Sequence, residues 1–176
     1  MSQEPQLLLQ TSKFTVVRQT QTTPAGKTKT REIVRHPGAC VIVPLLNDGR
    51  VCLIRNYRIA VGQTLVELPA GTLEPPELPH VTAERELIEE TGYRAAKIEL
   101  LHAFYLSPGI LDEKMHLYLA TELTAGETAR EEGEEIENLL VPWDEAVAMV
   151  FSGQIQDAKT IVGLLWVDRL KRGNAS

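Results

Sequence analysis

The strongest constraint on this chain lies between Gly71 and Tyr93, in the stretch GTLEPPELPHVTAERELIEETGY. Its second half predicts a helix with both ends marked. Pro79 suits the first helical turn, where its missing N–H costs nothing. Gly92 suits the position just past the C-terminus, where a left-handed residue closes a helix. At about 100° per residue, Glu86, Glu89 and Glu90 fall within an arc of about 100°. Arg85, one turn before Glu89, is placed to neutralise part of that charge. Val81, Leu87 and Ile88 point roughly the other way, toward a core. Three carboxylates crowded on one face repel one another unless a cation sits among them. All-oxygen ligands suit a hard divalent ion such as Mg²⁺ or Mn²⁺. On spacing alone, a solvated acidic face serves equally well.

The wider stretch separates those two readings. Gly71, five residues, Glu77, seven residues, then Arg85-Glu86-Leu87-x-Glu89-Glu90-x-Gly92-Tyr93 resembles the Nudix box, G-x5-E-x7-R-E-U-x-E-E-x-G-U with U aliphatic. Every fixed position matches at its required spacing. Tyr93, an aromatic at the final U, is the one departure, and it bears on packing more than on chemistry. The resemblance implies an α/β chain folded as a Nudix-type α/β/α sandwich around a mixed sheet, and an enzyme that hydrolyses a nucleoside diphosphate linked to another group. It implies Glu86 and Glu90 as metal ligands, joined by the backbone carbonyl of Ala70. Glu89 becomes a further ligand or its neighbour in the outer shell, and Arg85 orients the carboxylates. Gly71 is expected to let the chain turn and aim the Ala70 carbonyl.

Several features narrow the substrate. Pro108 falls 15 residues beyond Tyr93, within Leu106-Ser107-Pro108-Gly109, a placement similar to the marker of the ADP-ribose pyrophosphatase subgroup. Glu67-Leu68-Pro69-Ala70-Gly71, Arg55-Asn56-Tyr57-Arg58 and Asp112-Glu113-Lys114 also resemble that subgroup. Pro108 and Gly109 are accordingly expected at the substrate, although a proline there also serves simply to end a strand. Arg58 is suited to holding a phosphate oxygen bidentately, or else is a surface charge at a strand end. The implied reaction is ADP-ribose to AMP and ribose 5-phosphate. GDP-mannose or another nucleotide sugar is the alternative substrate, and a module that binds ADP-ribose without cleaving it is the alternative class.

Composition fits this picture. The 176 residues suit one domain with a small appendage, and 43% hydrophobic content supports a sizeable core. A net charge of −6 argues against a nucleic-acid backbone binder. It does not argue against a nucleotide, because cations bridge acidic protein to phosphate. Cys40 and Cys52 lie in apolar runs and read as buried free thiols. With no apolar leader and no run long enough to span a membrane, the expected location is the cytoplasm.

Upstream of the box, residues 6–36 alternate short β-prone runs with turn chemistry, and Pro24-Ala25-Gly26-Lys27 reads as a hairpin turn. Such a sheet is marginal alone. The subgroup resemblance implies that it exchanges across a homodimer; the other reading is an edge extension of the main sheet. Pro37-Gly38 divides residues 1–37 from a catalytic domain at 38–176. Ala39–Leu46 and Val51–Tyr57 predict strands around the Asn47-Asp48-Gly49-Arg50 turn. Leu65–Ala70 predicts a third strand running straight into Gly71. Strands are also expected at Ile98–Tyr105 and Met115–Glu122, with helices from Pro142-Trp143 to Phe151 and, capped by Asp157, through Arg172. The acidic segment GETAREEGEEIE (126–137) reads by composition as a solvated loop. The family resemblance instead implies a mobile glutamate over the substrate. Counting back from Ile136, which anchors the returning strand, gives Glu134 as an additional metal ligand and Glu132 as general base. Glu89 is the rival base.

Overall fold

The computed structural model describes residues 4–128 and 136–173. Its first element is a three-stranded antiparallel sheet of β1 (Gln6–Gln10), β2 (Thr15–Thr22) and β3 (Thr28–Arg35), in that spatial order. Gly26 takes the positive φ of 74° that the β2–β3 turn requires. The sheet is separate from the rest and not an edge extension of the main sheet. Among the described residues it meets the remainder at a bridge from Val34 to Leu111, with hydrogen bonds from Val34 N–H to the Ile110 carbonyl (2.8 Å) and from Asp112 N–H to the Val34 carbonyl (3.1 Å), and at the Arg35–Asp112 ion pair.

Past Gly38 the chain builds two further sheets. β5 (Arg50–Arg58) pairs antiparallel with β6 (Gln63–Glu67) on one side and with β10 (Ile136–Pro142) on the other. β7 (Ala70–Thr72), β4 (Ala39–Pro44), β9 (Lys114–Ala125) and β8 (Tyr93–Tyr105) form a mixed sheet, with β4 and β9 parallel and the other pairs antiparallel. α1 (Pro79–Thr91) packs on one face of the mixed sheet, α3 (Ala158–Gly173) on the other, and α2 (Trp143–Phe151) against β5 and β10. The expected α/β/α sandwich is therefore present.

β4 shows why an uninterrupted apolar run belongs at the centre. Alternate side chains face opposite ways, so Ala39, Val41 and Val43 join the α3-side core while Cys40 and Ile42 join the α1-side core. Cys40 through Val43 are wholly buried. Both cysteine thiols are buried, with no disulfide between them.

α1 begins on Pro79 and closes on Gly92, whose φ of 77° lets its N–H reach the Ile88 carbonyl at 2.8 Å. Its inward face differs from expectation at one end. Val81 is exposed, and Thr82, Ala83 and Leu87 take the core side. Ala83 packs there with Cys40 and Ile42 of β4, and the Thr82 hydroxyl donates to Glu77. Leu87 is 1% exposed; truncating it to alanine would cost about 2–5 kcal/mol.

The predicted strand at 65–70 is in fact two. β6 ends at Glu67 and β7 begins at Ala70, and between them the chain passes from the β5 sheet to the β4 sheet. Pro69 has no N–H to continue a ladder. Its carbonyl accepts from Ile42 N–H at 2.9 Å, and Leu68 N–H donates to Thr160 Oγ1 at 2.8 Å.

Candidate active site

The acidic helix face is organised by a cation from the same helix. Arg85 donates Nε and Nη2 to the Glu77 carboxylate, both at 3.1 Å, and Nη1 to Glu86 (2.7 Å) and Glu89 (2.9 Å). Glu77, on the loop before α1, also accepts from Thr82 Oγ1 at 2.8 Å. Hydrogen bonding from Arg85 holds the Glu77 carboxyl below the usual carboxylate range, and the same partner raises Arg85. The fixed spacing of Glu77 to Arg85 thus has a mechanical reason: loop and helix are pinned by one guanidinium.

Glu90 lies deeper, only 5% exposed, and accepts from Ala70 N–H at 2.8 Å. Gly71 is needed for closeness and not for a turn. Its φ is outside the left-handed region, and a Cβ there would sit 1.8 Å from Glu86 Oε1. α1 and β7 therefore touch through a carboxylate laid directly over a glycine.

Ala70, Gly71, Arg85, Glu86, Glu89 and Glu90 line one small cavity of about 150 Å³. Arg58, from the end of β5, and Lys13, from the β1–β2 turn, line it too. The predicted box residues and Arg58 are thus brought together. Lys13 escaped the sequence reading; Thr11-Ser12 marks a turn there, but nothing in that turn points to a site some 60 residues on in the chain. Pro108 and Gly109 are elsewhere. They line a larger cavity of about 450 Å³ between β3 and the β8–β9 loop, with Arg31, Arg35, Tyr105 and Asp112. That loop is docked by Asp112, which accepts from Arg35 Nη1 and from His36 N–H, both at 2.8 Å. Glu132 and Glu134 lie outside the described residues; Ile136, the proposed register mark, is buried and opens β10.

Arg58 is committed more than expected. Its Nε and Nη2 reach the two oxygens of Glu67 at 2.8 and 2.6 Å, so the fork expected for phosphate is spent on protein. Glu67 is 1% exposed and also meets Lys159 Nζ at 2.5 Å. Burial works to raise this carboxyl, but the two cations outweigh it and hold it below its ordinary value.

Among the described residues, no three carboxylate, imidazole or thiol side chains converge on a point suited to an ion. Arg85 instead takes up Glu86 and Glu89. The donor set nevertheless fits a hard cation: all oxygen, in excess negative charge, with Glu86 lying over Gly71 at the cavity wall.

Comparison with known proteins agrees with this geometry. Residues 34–162 match the NUDIX domain. The chain is 42% identical over 146 residues to the ADP-ribose pyrophosphatase of Bacillus subtilis (strain 168), covering 82% of this chain and 79% of that protein. It is 38% identical over 151 residues to the GDP-mannose pyrophosphatase of Cronobacter sakazakii (strain ATCC BAA-894), covering 76% and 78%. The crystal structure of an ADP compounds hydrolase superposes with a TM-score of 0.83 at 22% identity, covering 98% of this chain and 96% of that one, which shows the shared fold. The chain belongs to the Nudix family, as one of its pyrophosphohydrolases.

Proposed function

We propose that the protein hydrolyses the diphosphate bond of ADP-ribose to give AMP and ribose 5-phosphate, using Mg²⁺ or Mn²⁺. The observation that carries this reading is the single cavity in which Glu86, Glu89, Glu90 and Ala70 share walls with Arg58 and Lys13. Carboxylates serve a metal; the two cations serve phosphate oxygens. Glu86, Glu90 and the Ala70 carbonyl would hold the ion, with Glu89 beside them and Glu134 as an additional ligand. To do so, Glu86 gives up part of its hold on Arg85. A divalent cation there polarises phosphoryl oxygens and lowers the pKa of water.

Arg58 and Lys13 bind and orient the diphosphate. Glu132 is proposed as the base that takes the proton from the attacking water, since Glu89 is already engaged by Arg85. Glu132→Gln should then lower kcat strongly with little change in KM, while Glu134→Gln raises the metal concentration for half-maximal rate. Wild-type behaviour in both, with Glu89→Gln inactive, would move the base to α1.

Residues 1–37 are proposed as a dimerisation element on a catalytic domain at 38–176. Leu7, Leu8 and Leu9 are all exposed on β1, an apolar edge that a second copy would cover. No helix among the described residues is long and apolar enough to cross a membrane; a cytoplasmic location is proposed with the substrate. ADP-ribose is preferred to GDP-mannose because of the Pro108 spacing and the higher identity to the ADP-ribose pyrophosphatase. The test is kcat/KM across ADP-ribose, GDP-mannose and other nucleotide sugars, read by phosphate release with a coupled phosphatase. A ranking led by a sugar nucleotide other than ADP-ribose would reassign the substrate within the same chemistry.

A further inference from the structure

Glu67 and Lys159 have no part in the box, yet they form a buried chain of charges that ends at the candidate site. Lys159 Nζ lies 3.0 Å from Asp157 Oδ1 and 2.5 Å from Glu67 Oε2, and Glu67 in turn receives two N–H groups of Arg58. The chain is doubled by a second one. Asp157 Oδ2 accepts from Thr160 N–H (3.0 Å) and Oγ1 (2.6 Å), and Thr160 Oγ1 accepts from Leu68 N–H. The start of α3, with Asp157 just before it, thus grips Glu67 and Leu68, three and two residues before Ala70.

Two cations balance two anions in this chain, but a buried ion chain is a weak device for stability. Well-packed apolar residues of like volume serve as well or better. What charge pairs with fixed geometry give is direction. Arg58 is 40% exposed in its side chain while Glu67 is 1%. With Nε and Nη2 committed, Nη1 is the guanidinium nitrogen that makes no hydrogen bond among the described residues, on a residue that lines the carboxylate cavity.

We propose that Glu67 is a positioning residue: backed by Lys159, it fixes the Arg58 guanidinium so that Nη1 is presented to the anionic group bound at the cavity. This rests on the reading that the cavity takes a diphosphate. It extends that reading by assigning the aim of the phosphate-facing cation to α3, on the far face of the sheet from the box helix.

The test is a double-mutant cycle on equilibrium binding of inorganic pyrophosphate with excess Mg²⁺, by calorimetry, for wild type, Glu67→Gln, Arg58→Ala and the double variant. The expected result is that each single change weakens binding about tenfold, and that Glu67→Gln adds nothing once Arg58 is gone. A merely structural Glu67 would weaken binding by the same factor in both backgrounds, which overturns the proposal. So does a wild type that binds no pyrophosphate, or a Glu67→Gln protein that binds it as wild type does. If Glu67→Gln does not fold, Arg58→Lys carries the test, since lysine keeps the charge but cannot span Glu67 with two N–H groups. Wild-type affinity in Arg58→Lys overturns the proposal. Hydrolysis of ADP-ribose is followed in parallel. A non-additive cycle in a protein that cleaves no nucleotide diphosphate sustains the positioning role and removes the catalytic reading; an active enzyme with an additive cycle does the reverse.

Discussion

The N-terminal sheet and the sandwich are built from similar β-prone runs, yet they are held in opposite ways. In β4 every side chain is buried, and both faces are covered by helices. In β1 to β3 only Val17 counts as buried, while Leu7, Leu8 and Leu9 remain open. The sandwich keeps its geometry by its own packing, and the site atoms in it are fixed to the closeness of Glu86 over Gly71. The sheet is tied on by Asp112 and a short backbone bridge, but it delivers Lys13 to the same cavity. The difference teaches that the acidic helix face sits in the densely packed part, while one cation lining its cavity comes from a sheet with little core of its own.

The largest expected effect is on the sandwich side. Glu86→Gln and Glu90→Gln should each lower kcat by at least about 100-fold while the melting temperature holds or rises, because charge is removed from a crowded face. Turnover near wild type at saturating Mg²⁺ would exclude that residue as a ligand. Removing residues 1–37 should leave a cooperative melt but convert a particle of roughly twice 19.6 kDa to a monomer, with kcat/KM down about tenfold or more through KM. A wild type that sediments as a fully active monomer would erase the contrast between the two regions.

Gly71→Ala is predicted to act on rate more than on stability. The new Cβ meets Glu86 Oε1, the far end of a flexible side chain, so the carboxylate swings aside and activity falls about tenfold, with a higher metal requirement. Unchanged metal dependence would mean that Glu86 works from another position. The smallest effect concerns pH. Glu77 has its carboxyl lowered by Arg85, so the stability from this pair is present above the unfolded value of about 4.3 and is lost as pH falls through the lower folded value. Glu77→Gln should melt lower than wild type at pH 7, and the two melting curves should converge once pH has fallen below the lowered folded value. A gap that persists in acid would show that Glu77 acts without its charge.

Much of this was legible in the sequence where the signal was local. Pro79 and Gly92 bracket α1 as their backbone chemistry requires, and the run from Ala39 marks a central strand because no half-exposed strand could be so uniformly apolar. The miss at 65–70 has a plain cause: β-propensity persists through Leu68-Pro69 while the pairing partner changes, and pairing is not local. Val81 was misplaced because a helical arc does not say which small residues a neighbouring strand admits. The separation of Pro108 from the carboxylates, the commitment of Arg58 to Glu67, and the arrival of Lys13 all depend on long-range packing that no spacing encodes.

The central claim is that the box face performs diphosphate hydrolysis with a divalent cation, and it is tested most directly by products. Wild type and Glu86→Gln are incubated with ADP-ribose and Mg²⁺, with and without chelator, and separated by chromatography. AMP and ribose 5-phosphate in equal amounts from wild type, abolished by chelator and by Glu86→Gln, is the predicted result. ADP-ribose recovered intact from wild type, or cleaved equally well by Glu86→Gln, would contradict it.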